Sequence, residues 1–132
     1  MKMKLSDVLL LNNTLKSIID TDKNLKINAL FKFKLLGLMK NLEAPVANFD
    51  VIRNEKIREY GKKDENGNIA ISQDDTESVK KFTNDLEAVV NSDVEISIEK
   101  LKVKDVFNAG IPAEYLVRLY TIMEEWNYDY II

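Results

Sequence analysis

The chain has 132 residues, of which 45 % are hydrophobic and 31 % charged, and its net charge is −3. This length predicts a single domain over residues 1–132 with a hydrophobic core. The chain contains neither Cys nor His, which excludes disulfides, thiol nucleophiles, the usual structural zinc sites and every catalytic arrangement with an imidazole base. No apolar run approaches the roughly 20 residues of a membrane helix, so we expect a cytoplasmic protein.

The charges are distributed unevenly along the chain. Residues 1–63 contain 13 Lys and Arg against 7 Asp and Glu, whereas residues 64–132 contain 6 against 15. Such a split favours contacts between two copies of the chain, or with partners of opposite charge. Surface charge without any such role is the alternative interpretation.

The first elements in chain order are a short strand and a helix. Met3 and Leu5 alternate with lysines, which predicts a strand over residues 2–5. A helix should follow to about residue 19, with Ser6 or Asp7 as its N-cap, and a turn over residues 20–24. The predicted buried face of the helix consists of Val8, Leu11, Leu15, Ile18 and Ile19.

A long helix is predicted from residue 25 to residue 60. Pro45 is expected to kink or split it, because proline has no amide hydrogen and clashes with the preceding turn. Gly61 stands where a C-cap glycine is expected. The apolar residues that recur every three or four positions are Ile27, Phe31, Leu35, Leu38, Leu42, Val46, Phe49 and Ile52.

The segment YGKKDENGNIAIS, residues 60–72, has two interpretations. Asp64, Asn66, Asn68 and Asp75 occupy positions 1, 3, 5 and 12 of a calcium-binding loop. The glycine, however, is at position 4 rather than 6, and only one of the first three ligands is charged. Since Asn-Gly is also the strongest short signal for a type I′ turn, the sequence favours a hairpin turn over a metal site.

The remaining elements are shorter. A helix is predicted over about residues 75–91, with Asp74 and Glu77 as a capping box, and a strand over 93–98 from the alternation of its apolar residues. The apolar stripe of this helix is Val79, Phe82, Leu86, Val89 and Val90.

The C-terminal part is predicted as an extended piece at 101–103, a loop at 107–112 and a last helix from Pro112 to about Trp126. KLSDVL at 4–9 is echoed by KVKDVF at 102–107, which suggests two extended pieces, each leading into an Asp-capped turn, beside the 93–98 strand. The predicted fold class is therefore α+β: a helix-dominated single domain with one long kinked helix, three further helices and a small sheet of short strands. More than half of the chain should be helical.

The first candidate for a functional surface is on the long helix, where Leu30, Phe33 and Leu36 lie on or beside the face that carries the lysines. It is either an exposed patch for a protein partner or a second copy, a nucleic-acid contact, or the second face of a buried central helix. The acidic pI of about 5.1 disfavours nucleic acid. The tail WNYDYII is also apolar and docks on its own domain, which we favour, or on a neighbour. The predicted partner-binding residues are Lys26, Leu30, Phe33, Leu36, Lys40, Trp126, Tyr128 and Tyr130.

Residues for catalysis, cofactors or metals are not predicted. The adjacent acids at 64–65, 74–75 and 124–125 are typical of solvated helix ends, since acid–base catalysis needs carboxylates that meet across a cleft. The four glycines form no phosphate-binding motif. We therefore expect a protein that is not an enzyme and has no cofactor.

One resemblance extends over most of the chain. The run REYGKKDENGNIAIS, followed after a helix by DLEAVVNSDVEISIEKLKVKDV, resembles a pattern in small uncharacterised proteins of bacteriophages and prophages of low-GC bacteria. The similarity covers about residues 50–125 and, more loosely, 4–50. The chain departs from the pattern at Pro45 and at Gly110-Ile111-Pro112. The resemblance implies a mobile-element protein and transfers no catalytic residue.

These observations lead to two expectations for function. The first is a non-enzymatic phage or prophage protein in the host cytoplasm that binds a host or defence protein and inhibits or modulates it. The alternative is a virion structural or assembly component that acts as a homo-oligomer through the same residues. A carboxylate- or metal-dependent enzyme at the 64–75 loop is a third, disfavoured hypothesis.

Overall fold

A computed structural model describes residues 1–21 and 27–124. These residues are 66 % helical, which exceeds the predicted half. The helices are α1 (Leu5–Asp20), α2 (Ala29–Tyr60), α3 (Thr76–Val90), α4 (Val103–Asn108) and α5 (Ala113–Leu119), and a 3₁₀ turn follows at Tyr120–Ile122. The strands are β1 (Lys2–Lys4), β2 (Lys62–Lys63), β3 (Ile69–Ala70) and β4 (Asp93–Glu95). The fold is thus helix-dominated α+β, as predicted.

The strands form two small antiparallel sheets. β1 pairs with β4, with Met3 opposite Val94, so the N-terminal strand lies beside the 93–98 segment as expected. The pairing continues beyond β4, because the Ile96 amide donates to the Met1 carbonyl at 2.8 Å. β2 and β3 form a hairpin of two residues per strand. The predicted strand at 93–98 is therefore shorter than its apolar alternation suggested.

The hydrophobic core lies between α1, the N-terminal half of α2 and the segments from 96 to 123. Leu15, Leu35 and Leu42 are 0 % exposed, and Leu119 on α5 is equally buried. The predicted α1 face is confirmed at four positions and half-buried at the fifth, Ile19. Each fully buried side chain contributes about 1.5–3 kcal/mol of transfer free energy. Most of the apolar burial therefore lies in this core.

Helix α2 differs from its prediction at its start and at Pro45. It begins at Ala29, because the Asn28 side chain accepts a hydrogen bond from the Phe31 amide at 2.8 Å and caps the helix. It continues through Pro45 as one element, so the alternative of a split helix is wrong. Proline in a helix costs about 3 kcal/mol; the burial of Leu42 before it and the half-burial of Phe49 after it oppose a break.

Gly61 ends α2 for a reason other than the predicted one. Its φ of −84° is not left-handed, so the backbone conformation does not require glycine. A Cβ atom at this position would instead clash with the Ile57 carbonyl oxygen of α2, and would lie 2.8 Å from the Ile69 side chain and 3.0 Å from the Ala70 carbonyl oxygen. Glycine is needed here because the last turn of α2 and the β3 strand both leave no room for a side chain.

The loop at residues 64–68 is a turn, as predicted, but not a type I′ turn centred on Asn66-Gly67. The Gly67 amide donates to the Asp64 carbonyl at 3.1 Å, which places Glu65 and Asn66 at the centre. Gly67 follows with a φ of +82°. Such a turn with a left-handed glycine after it is typical of longer hairpin loops. The turn is displaced because Asp64 organises it, as described below.

Two helix caps also differ from the predictions. Asp75, not Asp74, caps α3: its carboxylate accepts from the Ser78 amide at 3.2 Å and from the Ser78 hydroxyl at 2.7 Å. Neither Ser6 nor Asp7 caps α1, whose N-cap is Lys4 without a side-chain bond. The side chain of Asp7 lies inside the first turn, where the helix dipole favours a negative charge.

The sequence echo has a structural counterpart. α4 begins after Lys102 just as α1 begins after Lys4, again without a side-chain cap and with an acid, Asp105, in the first turn. The prediction of an extended piece at 101–103 is therefore wrong at Val103, and the loop predicted at 107–112 begins only at Ala109. Leu101 forms an isolated parallel bridge with Met123, and Lys102 after it is also extended. This α4 is the helix that the predicted count lacked.

The last helix is shorter than predicted. Pro112 is the N-cap of α5 rather than its first residue, and α5 ends at Leu119. The chain then makes the 3₁₀ turn and becomes extended at Met123. The predicted helix end at Trp126 and the predicted tail lie outside the described residues.

Candidate protein-binding surface

One face of α2 exposes three large apolar side chains. Leu30 is 66 % exposed, Phe33 73 % and Leu36 47 %. The opposite face of the same turns is buried against the core, with Phe31 at 2 % and Leu35 at 0 %. The helix is therefore covered on one side only, and the alternative of a central helix buried on two sides is wrong for the single chain.

Gly37 lies within this exposed face. A Cβ atom added to it would have no neighbour within 4 Å. Glycine inside a helix destabilises it by about 0.5–1 kcal/mol relative to alanine, and nothing in the described part of the chain requires the missing side chain. The open backbone would allow another molecule to approach α2 closely. We call Leu30, Phe33, Leu36 and Gly37 the α2 face.

A groove of about 340 Å³ runs beside the α2 face. Its other wall is the segment before Leu101, which the Asn41 amide attaches to α2 by donating to the Ser97 carbonyl at 2.9 Å. Among the described residues, the charged side chains around the groove are three lysines and one acid. The lining residues are Phe33, Lys34, Gly37, Leu38, Lys40, Asn41, Glu99 and Lys100.

The structure brings together only part of the predicted set. Leu30, Phe33, Leu36 and Lys40 are all exposed on α2, whereas Lys26, Trp126, Tyr128 and Tyr130 lie outside the described residues. The second wall of the groove, Glu99 and Lys100, was missed. The sequence did contain a signal for Gly37, because a glycine interrupts an otherwise continuous helical pattern there. It contained no signal for the second wall, which comes from a distant segment of the chain.

A second apolar surface, also not predicted, lies on α4, α5 and the 3₁₀ turn. Val117 is 78 % exposed, Tyr120 63 % and Phe107 42 %. With Ala113, Leu116 and Met123 they line a groove of about 430 Å³, and none of these described lining residues is charged. We call it the α5 groove.

The acidic 64–75 loop shows hydrogen bonding that stabilises its own fold. The Asp64 carboxylate accepts from the amides of Asn66 and Asn68, both at 2.9 Å. The Ser78 hydroxyl and amide, bound to the Asp75 carboxylate, hold the pKa of Asp75 below its usual value. The described residues contain no group of three or more acidic side chains placed to hold a metal ion.

A further polar cluster joins the end of α2 to α3. The Tyr60 hydroxyl donates to the Asp85 carboxylate, and Lys56 lies 2.8 Å from Glu59 and 3.5 Å from Asp85. The bond between Tyr60 and Asp85 lowers the pKa of Asp85 and raises the pKa of Tyr60. Lys56 has a raised pKa, chiefly through its hydrogen bond to Glu59. The cluster is a helix-to-helix contact at the surface.

Comparison with known proteins adds no relative. No family model matches the chain, and neither a curated protein nor a solved structure shows significant similarity to it. Over residues 1–21 and 27–124, none of the helices is both long and apolar enough to cross a membrane.

Proposed function

We propose that this chain is a non-enzymatic protein that acts by binding another protein through the α2 face. The observation that carries the proposal is Phe33, 73 % exposed beside a helix glycine whose missing side chain leaves open space. A large aromatic residue next to open backbone suits the centre of an interface, where aromatic anchors contribute most of the binding energy.

The exposed apolar side chains provide the driving force. Full burial of a Leu or Phe side chain stabilises by about 1.5–3 kcal/mol, and Leu30, Phe33 and Leu36 are all about half or more exposed in the single chain. A stable interface covers about 800 Å² on each partner. The α2 face and the adjoining groove would form the core of such an interface, and the surrounding lysines its rim.

The charge around the groove defines the partner's chemistry. Lys34, Lys40 and Lys100 surround it, and Glu99 is the one acid among the described lining residues. A partner that inserts an apolar side chain and carries Asp or Glu beside it would be complementary, and rim charges of this kind raise the association rate. Binding should therefore weaken as ionic strength rises.

For the partner's identity, the resemblance to phage and prophage proteins supports a host or defence protein that the chain inhibits or modulates in the host cytoplasm. The uneven charge distribution supports the alternative, a virion or assembly component that self-associates through the same face. Both alternatives require the α2 face, and they differ in what occupies it.

The test is affinity purification of the tagged full chain from a lysate of a low-GC host, followed by reconstitution with the purified candidate partner. The variant is Phe33→Asp, and the matched control is Val51→Asp, which places the same charge on the same helix at a residue 55 % exposed. One host protein should be recovered in stoichiometric amount with the wild type and the control. Phe33→Asp should weaken its binding at least tenfold, because a charge would be buried against apolar groups.

Three outcomes would contradict the proposed inhibitor function. Recovery of capsid or tail proteins would favour the role of an assembly component over that of an inhibitor. Recovery of the chain alone, as an oligomer in sedimentation, would do the same. Equal binding by the wild type and Phe33→Asp would exclude the α2 face itself. Circular dichroism of both variants controls for loss of the fold.

A further inference from the structure

A further groove lies between α1 and the middle of α2. Its volume is about 420 Å³, which is within the range of ligand-binding pockets. The groove beside the α2 face is lined by Glu99 and Lys100 instead of α1, so the two grooves lie on different sides of α2. We call the new one the α1–α2 groove. Its described lining residues are Asn12, Lys16, Met39, Glu43, Val46, Ala47 and Asp50.

Asn12 in this lining is a buried polar side chain without a partner. It is 7 % exposed, and no hydrogen bond joins its carboxamide to another residue within 1–21 and 27–124. Thr14, the other buried polar residue of this part of the chain, donates instead to the Leu10 carbonyl at 2.8 Å. No fully enclosed side-chain nitrogen or oxygen of the described residues lacks a partner. The Asn12 carboxamide is therefore not enclosed and reaches the groove that it lines.

Folding alone does not favour asparagine at this position. Asparagine is one of the weaker helix formers, yet Asn12 lies in the middle of α1. One turn to either side, Val8 and Leu15 are both 0 % exposed. A largely buried polar group that forms no hydrogen bond destabilises the fold, and a leucine of similar size would avoid this cost. The carboxamide is therefore better explained by what it binds than by the packing of α1.

The surroundings of Asn12 define the chemistry of a ligand. A carboxamide offers an acceptor oxygen and a donor NH₂ group, which together match the N–H and C=O of a peptide unit. Glu43 and Asp50 are both exposed. They are seven residues apart, which places them on one face of α2 with a rise of about 10 Å between them. Lys16 is the single cation among the described lining residues, so negative charge predominates and attracts a cation.

The apolar residues of the lining suit the same ligand. Val46 and Ala47 lie between the two acids in the sequence, and an apolar surface of this kind can contact the methylene stem of a lysine or arginine. We propose that the α1–α2 groove binds a basic peptide segment of another protein. One peptide unit pairs with the Asn12 carboxamide, and a Lys or Arg side chain lies between Glu43 and Asp50.

This site is additional to the α2 face and does not depend on what binds there. The groove beside the α2 face has Lys34, Lys40 and Lys100 in its lining and suits an acidic partner. The α1–α2 groove has two acids and suits a basic one. The two sides of α2 therefore select partner surfaces of opposite charge.

Nuclear magnetic resonance of the ¹⁵N-labelled full chain tests the site. The side-chain amide of Asn12 gives its own pair of signals, which is identified by its loss in Asn12→Leu. The probe is the blocked tripeptide acetyl-Ala-Lys-Ala-amide, which should shift the Asn12 pair and the backbone amides of residues 43–50 in a saturable manner. The same tripeptide with norleucine in place of lysine should bind at least about threefold more weakly, because it lacks the charge. Butylammonium has the charge without a peptide unit and should also bind more weakly.

Three variants assign the binding to the groove. Asn12→Leu should weaken tripeptide binding at least about fivefold, while the melting temperature stays equal or rises because an unpaired polar group is removed. Glu43→Gln should weaken binding about two- to fivefold at low salt, and the difference should vanish at high ionic strength. Glu55→Gln removes the same charge from an exposed position of α2 outside the groove and should bind as the wild type does. Phe33→Asp should also bind the tripeptide normally, which separates this site from the α2 face.

Other results would overturn the proposal. No saturable shift with millimolar tripeptide would show that Asn12 is bonded to solvent alone. Shifts that leave the Asn12 signals unchanged would place the tripeptide elsewhere. Equal binding of the norleucine tripeptide would exclude the role of the acids, and equal binding of butylammonium would exclude the peptide unit. Shifts of the groove signals when the chain alone is concentrated would identify a second copy as the occupant.

Discussion

The two halves of α2 lie in different environments. The half before Glu43 packs against α1 and includes Leu35 and Leu42, both 0 % exposed. From residue 43 through the hairpin and α3 to residue 95, no side chain is fully buried. The first half has neighbours from α1 and the 96–123 segments. The second half reaches the core with Val46 and Phe49, and otherwise packs against α3 and a two-residue-per-strand hairpin. The same helical period therefore gives a core in one half and a half-covered helix pair in the other.

This difference teaches that apolar periodicity predicts which face of a helix turns inward, but not how completely it is covered. The predicted apolar stripe of α3, from Val79 to Val90, is the half-buried side of the helix, yet none of its residues is fully buried. Coverage depends on how many elements pack on the face. We expect stability to be concentrated in the first half, and local opening to be easiest in the second.

The largest expected effect compares one leucine from each half. Leu35→Ala should lower the free energy of unfolding by about 2–5 kcal/mol, because it leaves a cavity in a closed core. Leu86→Ala on α3 should cost clearly less, since Leu86 is only half-buried and water can fill the space. Urea denaturation followed by circular dichroism measures both. Equal losses would mean that the α2–α3 pair is as well packed as the core.

Two glycines provide the next comparison, and their substitutions should have opposite signs. Gly61→Ala should destabilise by about 1–3 kcal/mol, because its Cβ would clash with the Ile57 carbonyl oxygen and lie 2.8 Å from the Ile69 side chain. Gly37→Ala should stabilise by about 0.5–1 kcal/mol, since nothing lies within 4 Å and alanine favours the helix. Thermal melts of the two variants give the signs.

Gly37→Ala also sharpens the functional proposal. A gain in melting temperature together with weaker binding of the partner would separate stability from recognition. A gain in stability with unchanged binding would show that the partner does not approach the backbone at Gly37.

The smallest expected effect concerns the Tyr60–Asp85 contact in the second half. The pKa of Asp85 is lowered in the folded chain by its hydrogen bond from Tyr60. Such a carboxylate contributes stability above its unfolded pKa, and this contribution is lost as pH falls through the folded pKa. Tyr60→Phe should remove that part of the acid dependence. The check is the melting temperature of both proteins between about pH 5 and pH 2; parallel curves would contradict it.

The sequence by itself determined the local features of this protein. The helical period placed Phe31 and Leu35 inward and Leu30 and Phe33 outward, and the alternation at Met3 and at Val94 marked two strands that do pair. The outward side chains of α2 could be predicted because exposure on a helix follows from spacing alone. The absence of Cys and His excluded whole classes of chemistry from composition alone, since those classes need a thiol or an imidazole.

Only the tertiary structure decided what depends on neighbours distant in the chain. Pro45 remains inside α2, and Gly61 is required because the last turn of α2 and the β3 strand crowd it rather than because of a left-handed φ. The second wall of the α2 groove comes from Glu99 and Lys100, and the α5 groove arises where α4, α5 and the 3₁₀ turn meet. Sequence patterns report the faces of single elements, whereas grooves and close approaches are formed by the packing of several elements together.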